Sequence, residues 1–168
     1  MSIVKVIILV SFTLLAITNV SAEEVKKVLK NKDWEAYVVK NETSKICFAQ
    51  SIPILQAPKS NIREARLFVT FRPNEKISDE ISITSGYEYN KKNSVMAKSG
   101  KYKYKFDISQ ENFAWIADNK IELKMIRVMK KASRIMITGY NKSGCKTIDH
   151  YSLMGFTNAY TSATKSST

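Results

Sequence analysis

The chain predicts a mostly-β fold, a single-domain antiparallel β-sandwich with one or two short helices. Three observations carry that prediction. About eight or nine short runs of β-branched and aromatic residues are separated by Gly, Pro, Asn and Ser turn signals. Lys120–Ala132 carries the one long apolar stripe of helical period, recurring over about three turns. A chain of 168 residues, less an N-terminal leader, is long enough for one core and too short for two.

The leader is residues 1–22. Lys5 gives a basic start, Val6 to Thr18 is apolar, and Val20, Ser21 and Ala22 place small residues before a cleavage point after Ala22. That is the layout of a secretory signal peptide. The apolar run is about 13 residues, against roughly 20 needed to span a bilayer, so no transmembrane span is expected in the mature form. An uncleaved signal anchor is the competing reading. The expected location is the periplasm, or the cell surface and medium.

Residues 23–33 are a lysine-rich lead, a short helix or a flexible arm, with Val25, Val28 and Leu29 at helical spacing. Trp34–Val39 and Ile46–Gln50 form a predicted hairpin across the polar stretch Lys40–Lys45. Pro53 and Pro58 flank a loop reaching about Arg63. Arg66–Arg72 is a strand stopped by Pro73. Glu80–Thr84 alternates, with Ile81 and Ile83 on one face and Ser82 and Thr84 on the other.

Gly86 and Asn90–Ser94 are turns, and Ser94–Lys98 with Lys101–Phe106 make a second hairpin across Ser99 and Gly100. Within it Lys101, Lys103 and Lys105 share one face, and Tyr102, Tyr104 and Phe106 the other. In the helix, Ile121, Met125, Val128, Met129 and Ala132 form the apolar side. Lys120, Lys124, Arg127 and Lys131 form its outer side. Arg134–Tyr140 and Lys146–Leu153 are the last strands, and Phe156–Ala163 is a short closing helix. Residues 161–168 are a flexible, low-complexity tail.

The formal net charge of +12 favours anionic partners such as lipid head groups, acidic polysaccharide or envelope phosphates. Export argues against nucleic acid. The competing reading is a solvated lysine-rich surface. The two basic features have the same double reading. Lys101, Lys103 and Lys105 suit protection of a sheet edge; Lys120, Lys124, Arg127 and Lys131 suit the wet side of a helix. Sharing one face, they would make an anion-binding surface.

Two cysteines, Cys47 and Cys145, in an exported chain suggest one disulfide, with two unpaired thiols as the alternative. His150 is the one histidine, and with two cysteines it makes a poor zinc set, so no metal and no cofactor is expected. No catalytic residue is assigned. No GxSxG elbow surrounds any serine. Asp149 and His150 are neighbours on a strand and point to opposite faces. Asp79 and Glu80 lie in a polar turn with no sign of a facing acid. Two non-enzymatic roles lead, with an envelope enzyme as a third alternative. One is a binding or accessory protein using its basic face. The other is a carrier of a small apolar or lipid ligand in an interior lined by Phe68, Phe71, Tyr102, Tyr104 and Trp115.

Seven stretches resemble a known family. They are Asp33-Trp34, Cys47–Pro53, Leu67–Pro73, Glu80–Tyr87, Ala114-Trp115, Met129–Ser133 and Asp149–Tyr160, in that order along the chain. Their pattern is similar to the invasion-associated locus B (IalB) family of exported alphaproteobacterial proteins. The resemblance implies a periplasmic or surface-associated β-rich domain over residues 34–160, linked in its founding members to host-cell invasion. It supplies no catalytic residues. Similar proteins often carry a cysteine near the C-terminus, and this chain has none after Cys145.

Overall fold

Residues 23–168 are described by a computed structural model, so the signal peptide and its cleavage after Ala22 lie outside the described residues. Strands β1 (Glu24–Asn31), β2 (Trp34–Lys40), β3 (Lys45–Ser51), β4 (Leu55–Ala57), β5 (Arg66–Arg72) and β6 (Ile77–Thr84) come first. Then follow β7 (Val95–Ser99), β8 (Tyr102–Phe106), β9 (Ile108–Gln110), β10 (Phe113–Trp115), helix α1 (Asn119–Met129), β11 (Arg134–Tyr140), β12 (Lys146–Ser152) and helix α2 (Phe156–Ser167). One sheet runs β1-β2-β3-β5-β6-β10-β9 and the other β4-β12-β11-β7-β8, with every pairing antiparallel. The mostly-β, sandwich-like class predicted from sequence is therefore the class observed.

The core is the pair of inward faces. Trp34, Leu67, Ile81, Ile83, Ile137 and Tyr151 are fully buried there. Trp34 joins the layers: its Nε1–H donates to the Ser152 carbonyl at 2.8 Å, and its ring meets Phe156 of α2 edge-on at 4.8 Å. Helix α2 lies over β1, β2 and β3, burying Phe156, Ala159 and Ala163. The small alanines let the helix approach the sheet closely. Gly155, at φ 96°, starts it; a Cβ there would overlap the Asn31 carbonyl, so a side chain is barred.

Four local expectations change. Residues 24–31 are a strand, not a helix or a loose lead. A register shift between Lys27 and Leu29 lets both Val28 and Leu29 turn partly inward, which imitates helical spacing in the sequence. The predicted flexible tail is helical through Ser167, because Ala163 is buried as a continuation of the Ala159 face. The Pro53–Arg63 loop contains β4, which pairs with β12. Helix α1 buries Glu122, Met125, Ile126 and Met129, a face rotated from the predicted apolar one. The cause is Glu122: its Oε1 accepts the Ile81 N–H at 2.7 Å, a donor lying beyond the Ser82–Thr84 stretch of β6 that pairs with β10.

The expected Cys47–Cys145 disulfide is absent, and both thiols are free. Cys47 is fully buried on the inward face of β3, where burial pushes its thiol pKa up. Cys145 is exposed in the turn before β12, its N–H held by Asn141 Oδ1 at 2.8 Å. One thiol is inside the first sheet and the other on a surface turn of the second.

Candidate anion-binding groove

Strand β8 is the free edge of the second sheet, and α1 packs beside it. The alternation predicted for β8 is present: Tyr104 and Phe106 face the core while Lys103 and Lys105 stay exposed. The Tyr104 hydroxyl donates to the Lys124 carbonyl of α1 at 3.4 Å, tying strand to helix. Between them runs a groove of about 640 Å³. Tyr102, Tyr104, Val128 and Ala132 supply apolar surface, and Lys124, Arg127 and Lys131 line it with charge.

The helical stripe therefore borders this groove as a unit, apart from Lys120, which sits in the first turn of α1 outside the lining. The predicted union of ladder and stripe is only partial. Lys101 lies in the turn, its Nζ 5.6 Å from the centre of the Tyr102 ring, near the groove mouth. Lys103 and Lys105 point to the other side of β8, where Lys103 pairs in register with Lys98. Period-two geometry separates them from the Tyr104 face. Lys105 also stands 3.9 Å from Asp107.

Among the described residues no carboxylate forms an ion pair with Lys124, Arg127 or Lys131. Three uncompensated cations over an apolar floor favour a ligand with a negative head and an apolar body. Neither half of that preference depends on a catalytic group. Partial burial raises the Tyr104 phenol pKa, so the floor stays neutral.

The residues expected to line a carrier interior do not come together. Phe71 is in the core, Tyr104 is a core residue whose edge reaches the groove, Tyr102 is exposed at the groove, and Phe68 and Trp115 are half-buried on the outer face of the first sheet. Sequence reasoning also missed the main polar group of the interior. Arg63 forks onto Asp149, with Nη2 to Oδ1 at 2.6 Å and Nη1 to Oδ2 at 3.0 Å. Nη1 also donates to the Ser85 carbonyl at 3.0 Å. His150 lies on the opposite face of β12 from Asp149, half-buried, as strand alternation requires. No feature of a flexible-looking loop marks Arg63 in advance; the one hint was an acid in the otherwise inward row of β12.

No helix of the described residues is long and apolar enough to cross a membrane. No curated protein and no solved structure matches the chain. The model of one family, described as invasion associated locus B (IalB) protein, does match, over residues 34–164. That stretch is most of the chain and contains both sheets from β2 onward, the groove and the first three-quarters of α2, so the chain belongs to the IalB family.

Proposed function

We propose that this IalB-family protein is exported and works without catalysis, as an envelope-associated binding or accessory protein. Its partner on this reading is an anionic lipid engaged by the groove between α1 and β8. The observation that carries the reading is the pairing of an apolar floor with three cations that no carboxylate neutralises among the described residues. The predicted signal peptide and the net charge of +12 support the same assignment. An anionic membrane attracts each nearby Lys or Arg by about 1 kcal/mol, so three side chains would give roughly a hundredfold preference over a zwitterionic membrane.

Vesicle flotation tests this with the mature chain. Phosphatidylglycerol-rich vesicles should carry the protein and phosphatidylcholine vesicles should not. Raising NaCl to about 0.5 M, where screening is short-ranged, should release it. The combined Lys124→Glu, Arg127→Glu, Lys131→Glu variant should stay in solution. Equal binding to both vesicle types, or a variant that still floats, would refute the groove.

A further inference from the structure

The outer face of the first sheet carries a different kind of site. After Trp115 the chain leaves β10 for α1, which opens a cleft of about 640 Å³ between the start of β6, β9 and the first turn of the helix. Trp115 lines it with Arg72, Glu80, Gln110 and Asn119. The charges are balanced, Arg72 and Lys76 against Glu80 and Glu122. An anion is therefore not favoured here, in contrast to the groove beside α1.

The polar groups are held in place. Arg72 forks onto Glu80 with two bonds of 2.8 Å, a planar pair about one-fifth exposed. Asn119 Nδ2 donates to Glu122 Oε2 at 3.2 Å and to the Ser78 carbonyl at 3.3 Å, leaving its amide oxygen free among the described residues. Such preset donors and acceptors need little further ordering when a ligand arrives. Trp115 does not stand alone. Phe113 lies 5.8 Å from it with the rings inclined by 28°, and Phe68 lies 6.3 Å beyond Phe113, so aromatic surface runs out of the cleft along the sheet. Those steps are on the scale of one pyranose ring.

We infer that this cleft binds a chain of neutral hexoses, stacking the C–H face of one sugar on Trp115 while the Arg72–Glu80 fork, Gln110 and Asn119 take its hydroxyls. A pyranose has one apolar face and a polar rim, and this cleft sets an apolar wall of Trp115 with Ile77, Ile108 and Ile116 against a polar rim without net charge. Binding is not followed by cleavage. Hydrolysis needs one acid free to give its proton and a second facing the sugar, whereas Glu80 and Glu122 are both engaged by protein groups.

Isothermal titration calorimetry with neutral gluco-, galacto- and mannohexaose tests the assignment, and tryptophan emission locates it. The chain has two tryptophans, and Trp34 is fully buried, so a ligand-dependent emission change reports Trp115. At least one hexaose should bind saturably, more tightly than its monosaccharide, and with no loss in about 0.5 M NaCl. Trp115→Ala should weaken binding roughly tenfold or more, the scale of a stacked aromatic. Trp115→Phe should keep part of the affinity, and Gln110→Ala should lower it. The Lys124→Glu, Arg127→Glu, Lys131→Glu variant should bind sugar normally, which separates this site from the lipid groove. The assignment fails if no hexaose binds, if a folded Trp115→Ala chain binds unchanged, or if only acidic sugars bind and salt removes them.

Discussion

Arg63 and Asp149, 86 positions apart, form a two-pronged ion pair inside the sandwich, with side chains only 3% and 1% exposed. Gln56 braces the Arg63 backbone from both sides, accepting its N–H at 2.8 Å and donating to its carbonyl at 2.9 Å. The pair pins the loop after β4 to β12. Removing one partner strands a buried charge, which typically costs about 3–5 kcal/mol. Arg63→Met and Asp149→Leu should each lower stability by that order in urea titrations, and the double variant by less than the sum. Additive losses would mean that the two charges do not act as a unit.

Glu122 makes a separable prediction. Burial raises its carboxyl pKa, opposed by the hydrogen bond from the Ile81 N–H. Glu122→Gln keeps an acceptor for that N–H and removes the buried charge, so stability at pH 7 should be unchanged or slightly higher. Glu122→Ala leaves the N–H unpaired and should cost about 1–3 kcal/mol. Equal effects of the two variants in thermal melts would remove the proposed role.

Glu35 governs part of the acid limb. Hydrogen bonds from Lys27 and then Tyr37 pull its carboxyl down from 4.5 to about 2. A carboxylate with a lowered folded pKa stabilises the fold above its unfolded value, and that contribution is lost as pH falls from about 4.5 toward 2. Wild type should therefore exceed Glu35→Gln in stability at pH 7, and the gap should close on acidification through that window. A gap independent of pH in urea titrations would contradict this.

The free thiols predict an asymmetric reaction. Ellman's reagent should modify the exposed Cys145 at once and Cys47 only on unfolding. Reducing agent should leave the melting temperature unchanged. A native protein with no titratable thiol, or one destabilised by reduction, would restore the disulfide.

The fold class followed from local chemistry, and so did most strands. The alternation in Tyr102–Phe106 and Ile81–Ile83, and the stops at Pro73 and Gly86, depend on neighbouring residues and are visible in any window that contains them. The family resemblance was likewise legible, because it rests on ordered short motifs. The basic stripe of α1 was identifiable, but its alignment with Tyr102 and Tyr104 was not, since nothing local tells a helix which strand edge it will cover.

Tertiary structure alone decided the rest. Val28 and Leu29 read as helical until a bulge against β2 is known. Cys47 and Cys145 could be paired on paper because sequence counts thiols without their depth; the fold buries one in the first sheet and leaves the other exposed on a turn of the second. Arg63 became a core residue only because Asp149 waits on β12, and Glu122 faces inward because Ile81 has a donor left open. Chain-neighbour chemistry sets elements and their faces. Which distant group satisfies a buried charge or an unpaired N–H is settled only when the elements meet.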